Sequence, residues 1–269
     1  MKGLVARMNE RPKGSSTLTV ERAADVLMLF SEQPTQYLGV TEIANALGLS
    51  KAAVHRILSS LKNKGIVEVD PVSHRYSLGP VLVSLGLTYL SKLDVRKVAA
   101  PELAELSRAT NETATLSIRT GWSRVYVDQV TPDREVLMMV QIGVPYPLHA
   151  GASSKAFLAF LPAEEVDRYL SEPLGQVTPL TRTDPSELRR ELAHIREAGY
   201  AVSMGERQSG AGSVAAPVLD YRGVPLAVIS VSGPEERIAG EVEECAAALL
   251  ETTRRVSAKM GHFSQGQPG

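Results

Sequence analysis

Apolar residues recur at helical spacing over the first third of the chain and alternate over much of the rest, and this change of period divides the sequence. The positions Val20, Ala23, Val26, Leu27 and Phe30 fall on one face of a helix that can start at Thr19 and stops before Pro34. A short helix fits Thr41–Leu47 and a third fits Lys51–Lys64, with Gly65 as its stop. Two β-like stretches, Ile66–Val69 and Arg75–Leu78, then flank Asp70-Pro71-Val72-Ser73-His74, where Asp-Pro marks a turn. The predicted order is three helices and a hairpin. Val81–Leu93 reads as a further helix, with Val81, Leu82, Leu85, Leu87 and Leu90 apolar, and a second helical run extends from Val95 to about Ala109.

Beyond it the period becomes two. Ala114, Leu116 and Ile118 alternate with polar neighbours, Thr120-Gly121-Trp122-Ser123 forms a turn, and Val125 and Val127 resume the alternation, which predicts a β-hairpin. Val136–Ile142 is a strand candidate, and Ser153–Leu161 and Glu164–Leu170 read as short helices. Asp184-Pro185-Ser186-Glu187 has the chemistry of a helix start, since Asp184 can cap, Pro185 suits the first turn and Glu187 can complete a capping box. That helix should run to about Ala198. Strands at Ser213–Leu219 and Val224–Val231 flank the turn Asp220-Tyr221-Arg222-Gly223, and a last helix covers Glu241 to about Met260. Strand pairs joined by short turns and interspersed with helices imply an α+β domain with an antiparallel sheet. The expected organisation is an arm at 1–16, a first domain at 17–80, a linker helix at 81–93, a second domain at 94–260 and a tail at 261–269.

Composition narrows the class. A chain of 269 residues with 43% apolar and 22% charged residues suits two globular domains. Apolar stretches break well before the roughly 18 residues that span a bilayer, and residues 1–16 lack the apolar core of a signal peptide, so a cytoplasmic protein without a membrane partner is expected. Cys245 is the single cysteine, which rules out an internal disulfide; between Glu244 and Ala246 on an apolar helix it reads as a small core residue. The net charge of −1 hides an asymmetry: residues 1–80 carry +3 and residues 81–269 carry −4. A mildly basic head is compatible with DNA.

The segment TEIANALGLSKAAVHRILSSLKNKG, Thr41–Gly65, meets the physical requirements of a helix-turn-helix. Ile43, Ala44 and Leu47 give the first helix an apolar face, with Ala44 small enough for a close crossing. Gly48 supplies the turn, Leu49 plugs the angle, Ser50 can cap the second helix, and Val54, Ile57, Leu58 and Leu61 fix its buried side. The opposite side is thereby set. Lys51, Ala52, Ala53, His55, Arg56 and Ser59 face outward or sit at the N-terminal end, the part of a recognition helix that meets bases. Arg56 and His55 can bond base edges or phosphates, Lys51 can neutralise a phosphate, and Ala52 and Ala53 can touch thymine methyls. Thr41 and Ser50 complete the candidate DNA-binding set, and His74 and Arg75 near the hairpin tip could meet an adjacent phosphate or minor groove. The same pattern also suits a plain amphipathic pair with a solvated basic face.

Val40 to Gly86, which includes VTEIANALGLSKAAVHRILSSLKNKGIVEVD and HRYSLGPVLVSLG, resembles the N-terminal domain of the IclR family of bacterial regulators. PLHAGASSKAFLAFLP (Pro147–Pro162), AGYAVSMGE (Ala198–Glu206) and GSVAAPVLDYRGVPLAVISVSGP (Gly212–Pro234) resemble that family's C-terminal effector domain. The likeness covers about Thr17 to Met260. It implies a winged helix-turn-helix, a GAF-like sensor domain, a homodimer or homotetramer, an inverted-repeat operator in double-stranded DNA, and no cofactor. Carried over by position, it implies an effector pocket lined by Met139, Ala150, Gly151, Ala152, Ser153, Met204, Glu206, Ser213 and Ala215.

An independent argument bears on Gly151–Ser154. A Gly-led turn that opens a helix offers backbone N–H groups and the positive end of the dipole to an anion, and Ser153 or Ser154 can add a hydroxyl. Simple capping by Ser153 explains the same residues. Glu206 would repel an acid unless it pairs with a cation such as Arg119 or Arg207, so an effector carrying an amine or hydroxyl is the other option beside an organic acid or aromatic metabolite. Two rival classes are an enzyme with an accessory helical domain and a protein-interaction module. Ser153, Lys155 and His149 are close in sequence but do not make a Ser-x-x-Lys spacing, no Gly-x-Ser-x-Gly elbow occurs, and the five histidines show no paired metal-ligand spacing. No catalytic or metal residue is predicted.

Overall fold

The computed structural model of the chain describes residues 18–32, 37–90 and 94–262. The arm expected at 1–16 and most of the tail lie outside them. The chain divides at residues 92–93 into two compact units. No helix among the described residues is long and apolar enough to cross a membrane.

The first unit contains α1 (Leu18–Glu32), α2 (Val40–Leu47), α3 (Lys51–Asn63), an antiparallel ribbon of β1 (Val67–Val69) and β2 (Tyr76–Leu78), and α4 (Val81–Leu90). In its core Val26, Leu29 and Phe30 of α1 meet Ile43 and Ala44 of α2 and Val54, Ile57 and Leu58 of α3, so the expected α1 face is shifted: Leu29 is buried and Val20 exposed. Gly48 turns the chain between α2 and α3 with φ 63° and ψ 31°, a left-handed conformation that costs a residue with a Cβ. The Ser50 hydroxyl accepts from the Ala53 N–H at 3.2 Å and caps α3. At the ribbon tip, Asp70 accepts from the N–H groups of Val72 and Ser73, and His74 takes a left-handed φ of 55°.

The second unit is a six-stranded antiparallel sheet in the order β5-β4-β3-β8-β7-β6. Its strands are β3 (Thr113–Thr120), β4 (Ser123–Val130), β5 (Pro145–Pro147), β6 (Ala201–Met204), β7 (Ala211–Leu219) and β8 (Pro225–Pro234). Helices α5 (Val95–Thr110) and α10 (Val242–Lys259) cover one face, where Leu103, Leu106, Leu249 and Val256 pack on Leu116, Val214, Ile229 and Val231. Glu102 of α5 accepts from Arg255 and Lys259 of α10 at 2.9 and 2.7 Å, and these two cations lower its pKa against the opposing effect of burial. The other face carries α6 (Ala152–Phe160), α7 (Ala163–Leu170) and α8 (Pro185–Ala198), with Ala156, Phe157, Leu188 and Leu192 packed on Ala215 and Val228. A short α9 (Glu235–Gly240) precedes α10.

The second unit departs from the expectations in three places. Val136–Ile142 is not a strand. The Gln129 side chain stands in for a backbone partner there, donating to Val140 O and accepting from Val140 N–H at 3.2 and 3.0 Å, and only Ile142 makes an isolated bridge to Tyr126. The edge strands β5 and β6, of three and four residues, are too short for periodicity to reveal. Asp184 caps α8 through the N–H groups of Ser186 and Glu187, but Glu187 does not complete a capping box; its carboxylate lies 3.8 Å from Arg182.

Candidate nucleic-acid interface and ligand site

Helix α3 buries Val54, Ile57 and Leu58, which turns Lys51, Ala52, His55, Arg56 and Ser59 outward as exposed residues, with Ala53 half-buried beside them. The side chains of Lys51, His55 and Arg56 make no hydrogen bond or ion pair among the described residues. Thr41, on α2, and Ser50 are exposed at the same helix pair, and His74 is exposed at the ribbon tip. Arg75 differs. Its Nη2 donates to Glu42 Oε2 at 2.7 Å and to Tyr37 O at 3.0 Å, tying the ribbon to the start of α2. Glu42 also accepts from the Gly39 N–H at 2.8 Å, and this bond and then Arg75 lower its carboxyl below the usual range. The sequence offered no sign of that long-range pair.

In the second unit, alternation along the strands gives the sheet an apolar face toward α5 and α10 and, on the α6 side, a face that is apolar at Ala201, Ala215 and Val228 and polar at its serines and threonines. Ser203, Ser213, Ser232 and Thr113 are successive register partners across four strands, and Thr115 pairs with Ser230 in a second row. All six are buried. Buried hydroxyls must find partners; Thr115 and Ser230 bond each other at 2.6 Å, and Thr113 donates to Met138 O. A cleft lined by Ser203, Arg207, Gln208, Ala211, Gly212, Ser213 and Ser232 has an internal volume of ≈ 10 Å³, room for about one water.

The segment 150–153 closes this face. Ala150, Gly151, Ala152 and Ser153 are buried, and Gly151 takes φ 88° at the N-cap of α6, where a Cβ would stand 3.1 Å from Arg207 Cβ. Its N–H points at Glu206 Oε2 at 3.4 Å, so the chain's own carboxylate occupies the positive end of α6. Glu206 pairs with neither Arg119 nor Arg207. Its partner is Lys155, fully buried, whose Nζ lies 2.5 Å from Glu206 and 2.6 Å from Glu191. Arg119 instead bonds Glu165.

Ser213 and Ala215 lie on the α6 side of the sheet. Two expected lining residues do not. The period of two puts Ser203 on that face and Met204 on the other, against the α5/α10 core, and Met139 is 64% exposed beyond the Gln129 contact. His149 is structural: with Nε2 donating to Gly175 O, Nδ1 accepts from the Tyr169 hydroxyl, both at 2.8 Å. Residues missed from sequence are Lys155, Arg124, Tyr126, Tyr146, Ser230 and Ser232. A signal for the serines existed in the alternation of VISVSG.

Comparison with known proteins fits this geometry. Residues 19–71 match the IclR helix-turn-helix domain, and residues 87–258 match the bacterial transcriptional regulator IclR C-terminal domain. The chain belongs to the IclR family of transcriptional regulators, and is a regulator rather than an enzyme. It is 32% identical over 244 residues to the HTH-type transcriptional regulator KipR of Bacillus subtilis, covering 88% of this chain and 96% of KipR. The crystal structure of Pseudomonas aeruginosa HmgR superposes with a TM-score of 0.79 at 32% identity, covering 91% of this chain and 99% of that one. An IclR homologue from Microbacterium hydrocarbonoxydans, solved with 4-hydroxybenzoate, gives a TM-score of 0.57 at 25% identity over 90% of this chain and 98% of that one.

Proposed function

We propose that the protein is a cytoplasmic homo-oligomer, a dimer or tetramer, that binds an inverted-repeat operator through α3 and adjusts that binding to a small molecule held on the polar face of the sensor sheet. The observation that carries the reading is the outer face of α3, where Lys51, His55 and Arg56 are exposed without protein partners at the capped end of a helix fixed from behind. Ala52 and Ala53 allow close approach, Thr41, Ser50 and Ser59 suit phosphates, and His74 reaches outward from the wing. Arg75 serves indirectly, by holding the wing through Glu42. A head of only +3 grips DNA weakly by charge alone, so two heads on one operator supply usable affinity.

The buried polar sheet face supports the sensing half, as does the 4-hydroxybenzoate held by the Microbacterium relative. With so little internal volume, a ligand must widen the cleft, and the loop carrying Glu206 and Arg207 is bracketed by Gly205 and Gly210, both at positive φ. The test is a mobility shift on DNA upstream of the protein's own gene. Sequence-specific binding to an inverted repeat, with half-sites about one helical turn or a multiple apart, is expected; binding that random DNA competes away equally well would contradict it.

A further inference from the structure

Arg124, on β4, is 1% exposed, yet it has no carboxylate partner among the described residues. Its Nε donates to Ser154 Oγ at 2.8 Å and its Nη2 to the Tyr126 hydroxyl at 3.0 Å, while Nη1 is buried with no hydrogen-bond partner. The guanidinium lies 4.2 Å from the Tyr126 ring centre and 5.1 Å from that of Tyr146. Arg207, equally without a carboxylate, sits over the same two rings at 5.8 and 5.2 Å. Burying one unpaired cation, with a second beside it, is among the costliest arrangements a fold can keep. Elsewhere on this face the chain meets that cost internally, with Lys155 against Glu206 and Glu191.

The cluster adjoins the serine cleft, since Arg207 lines that cleft as well. Along β3 the polar face is continuous: Ser117 pairs with Tyr126, Thr115 with Ser230, and Thr113 with Ser232. The start of α6 is already taken by Glu206, so an incoming anion finds its positive partner at Arg124. The geometry points to a carboxylate seat at Arg124 Nη1, flanked by Arg207, for a small hydroxylated carboxylic acid whose hydroxyls meet the serine and threonine rows. This rests on the sensor unit being a ligand-binding unit. Charge-assisted bonds to a guanidinium give such a seat its strength, and a neutral isostere leaves the cation unpaired.

Thermal shift and operator titration of the full chain test it, with glycolate, glycerate and gluconate against glycolamide, glycerol and glucose, and with benzoate as an acid lacking hydroxyls. At least one hydroxy acid should raise Tm saturably while its uncharged counterpart does not. Arg124→Gln should weaken that acid roughly 30-fold or more, whereas Arg119→Gln, at an arginine already committed to Glu165, should change it less than about twofold. Without ligand, Arg124→Gln should melt at or above the wild type, which removal of a purely structural arginine would not do. If that variant fails to fold, half-buried Arg207→Gln should weaken the same acid by roughly tenfold.

Equal binding to Arg124→Gln, or no binding by any hydroxy acid, overturns the seat, and binding by benzoate alone overturns the hydroxylated class. A hydroxy acid that binds through Arg124 but leaves operator affinity unmoved keeps the seat and defeats the sensor reading. A compound that shifts operator affinity equally in wild type and Arg124→Gln does the reverse.

Discussion

The outer face of α3 and the polar face of the second unit's sheet, the two surfaces proposed for partners, are built on opposite terms. Lys51, His55 and Arg56 stand in solvent, which satisfies them, so they burden folding little. The polar sheet face is enclosed, as the surroundings of a small ligand have to be. Its polar groups are desolvated on folding and have to be satisfied within the chain, as Thr115 with Ser230 and Lys155 with Glu206 and Glu191 are. Substitutions on the first surface should therefore change DNA affinity at constant stability. Those on the second should change stability together with any response.

The comparison breaks most readily at Lys155. Lys155→Met would leave the buried Glu206 carboxylate without its cation and facing half-buried Glu191, which keeps Arg182, and should cost about 3–5 kcal/mol in urea denaturation. The double variant Lys155→Met with Glu206→Gln should recover much of that loss; a single-variant cost below about 1 kcal/mol would put this pair on the footing of a surface ion pair. Gly151→Leu comes next. A side chain there meets a strained φ of 88° and Arg207 Cβ, so a cost of about 1–3 kcal/mol is expected with loss of any ligand response, read by thermal shift. Operator affinity without ligand should stay within about twofold of wild type, since the substitution is far from α3 in sequence and unit.

Smaller effects sharpen the account of the head. The Gly39 N–H and Arg75 hold Glu42 below its ordinary value of 4.5, so its contribution is present above that unfolded value and fades as pH falls through the lower folded one. Melting of the head should fall on acidification between about pH 6 and pH 3, and Glu42→Gln should flatten that dependence while changing Tm little at neutral pH. A dependence unchanged by Glu42→Gln would locate the acid sensitivity elsewhere. The smallest effect is at Cys245. Burial, reinforced by Glu241, pushes its thiol up to about 11, so iodoacetamide near about pH 8 should label it only after unfolding in urea.

The head was legible from sequence almost to the residue, because its elements are local: each helix carries its own period, Gly48 and Ser50 mark the turn and cap, and the outward face follows from the buried one. What escaped was the contact between residues distant in sequence, Arg75 with Glu42. In the second unit the long strands and helices were legible for the same local reason, and Gly151, Glu206 and Ser213 were singled out through the family resemblance. Arg124, Lys155, Tyr126 and Tyr146 acquire meaning only when β4, β5 and α6 meet, which no period encodes. Met204 was misplaced although alternation against Ser203 was available, since the strand is only four residues long.

α3 is proposed to read DNA with a face on which stability does not depend. Titrating a labelled operator with wild type and Arg56→Ala by fluorescence anisotropy tests it directly. A loss of about 1–3 kcal/mol in specific binding, roughly tenfold to a hundredfold, is expected, with Tm of the variant within about 2 °C of wild type. Undiminished affinity and specificity in Arg56→Ala would contradict it.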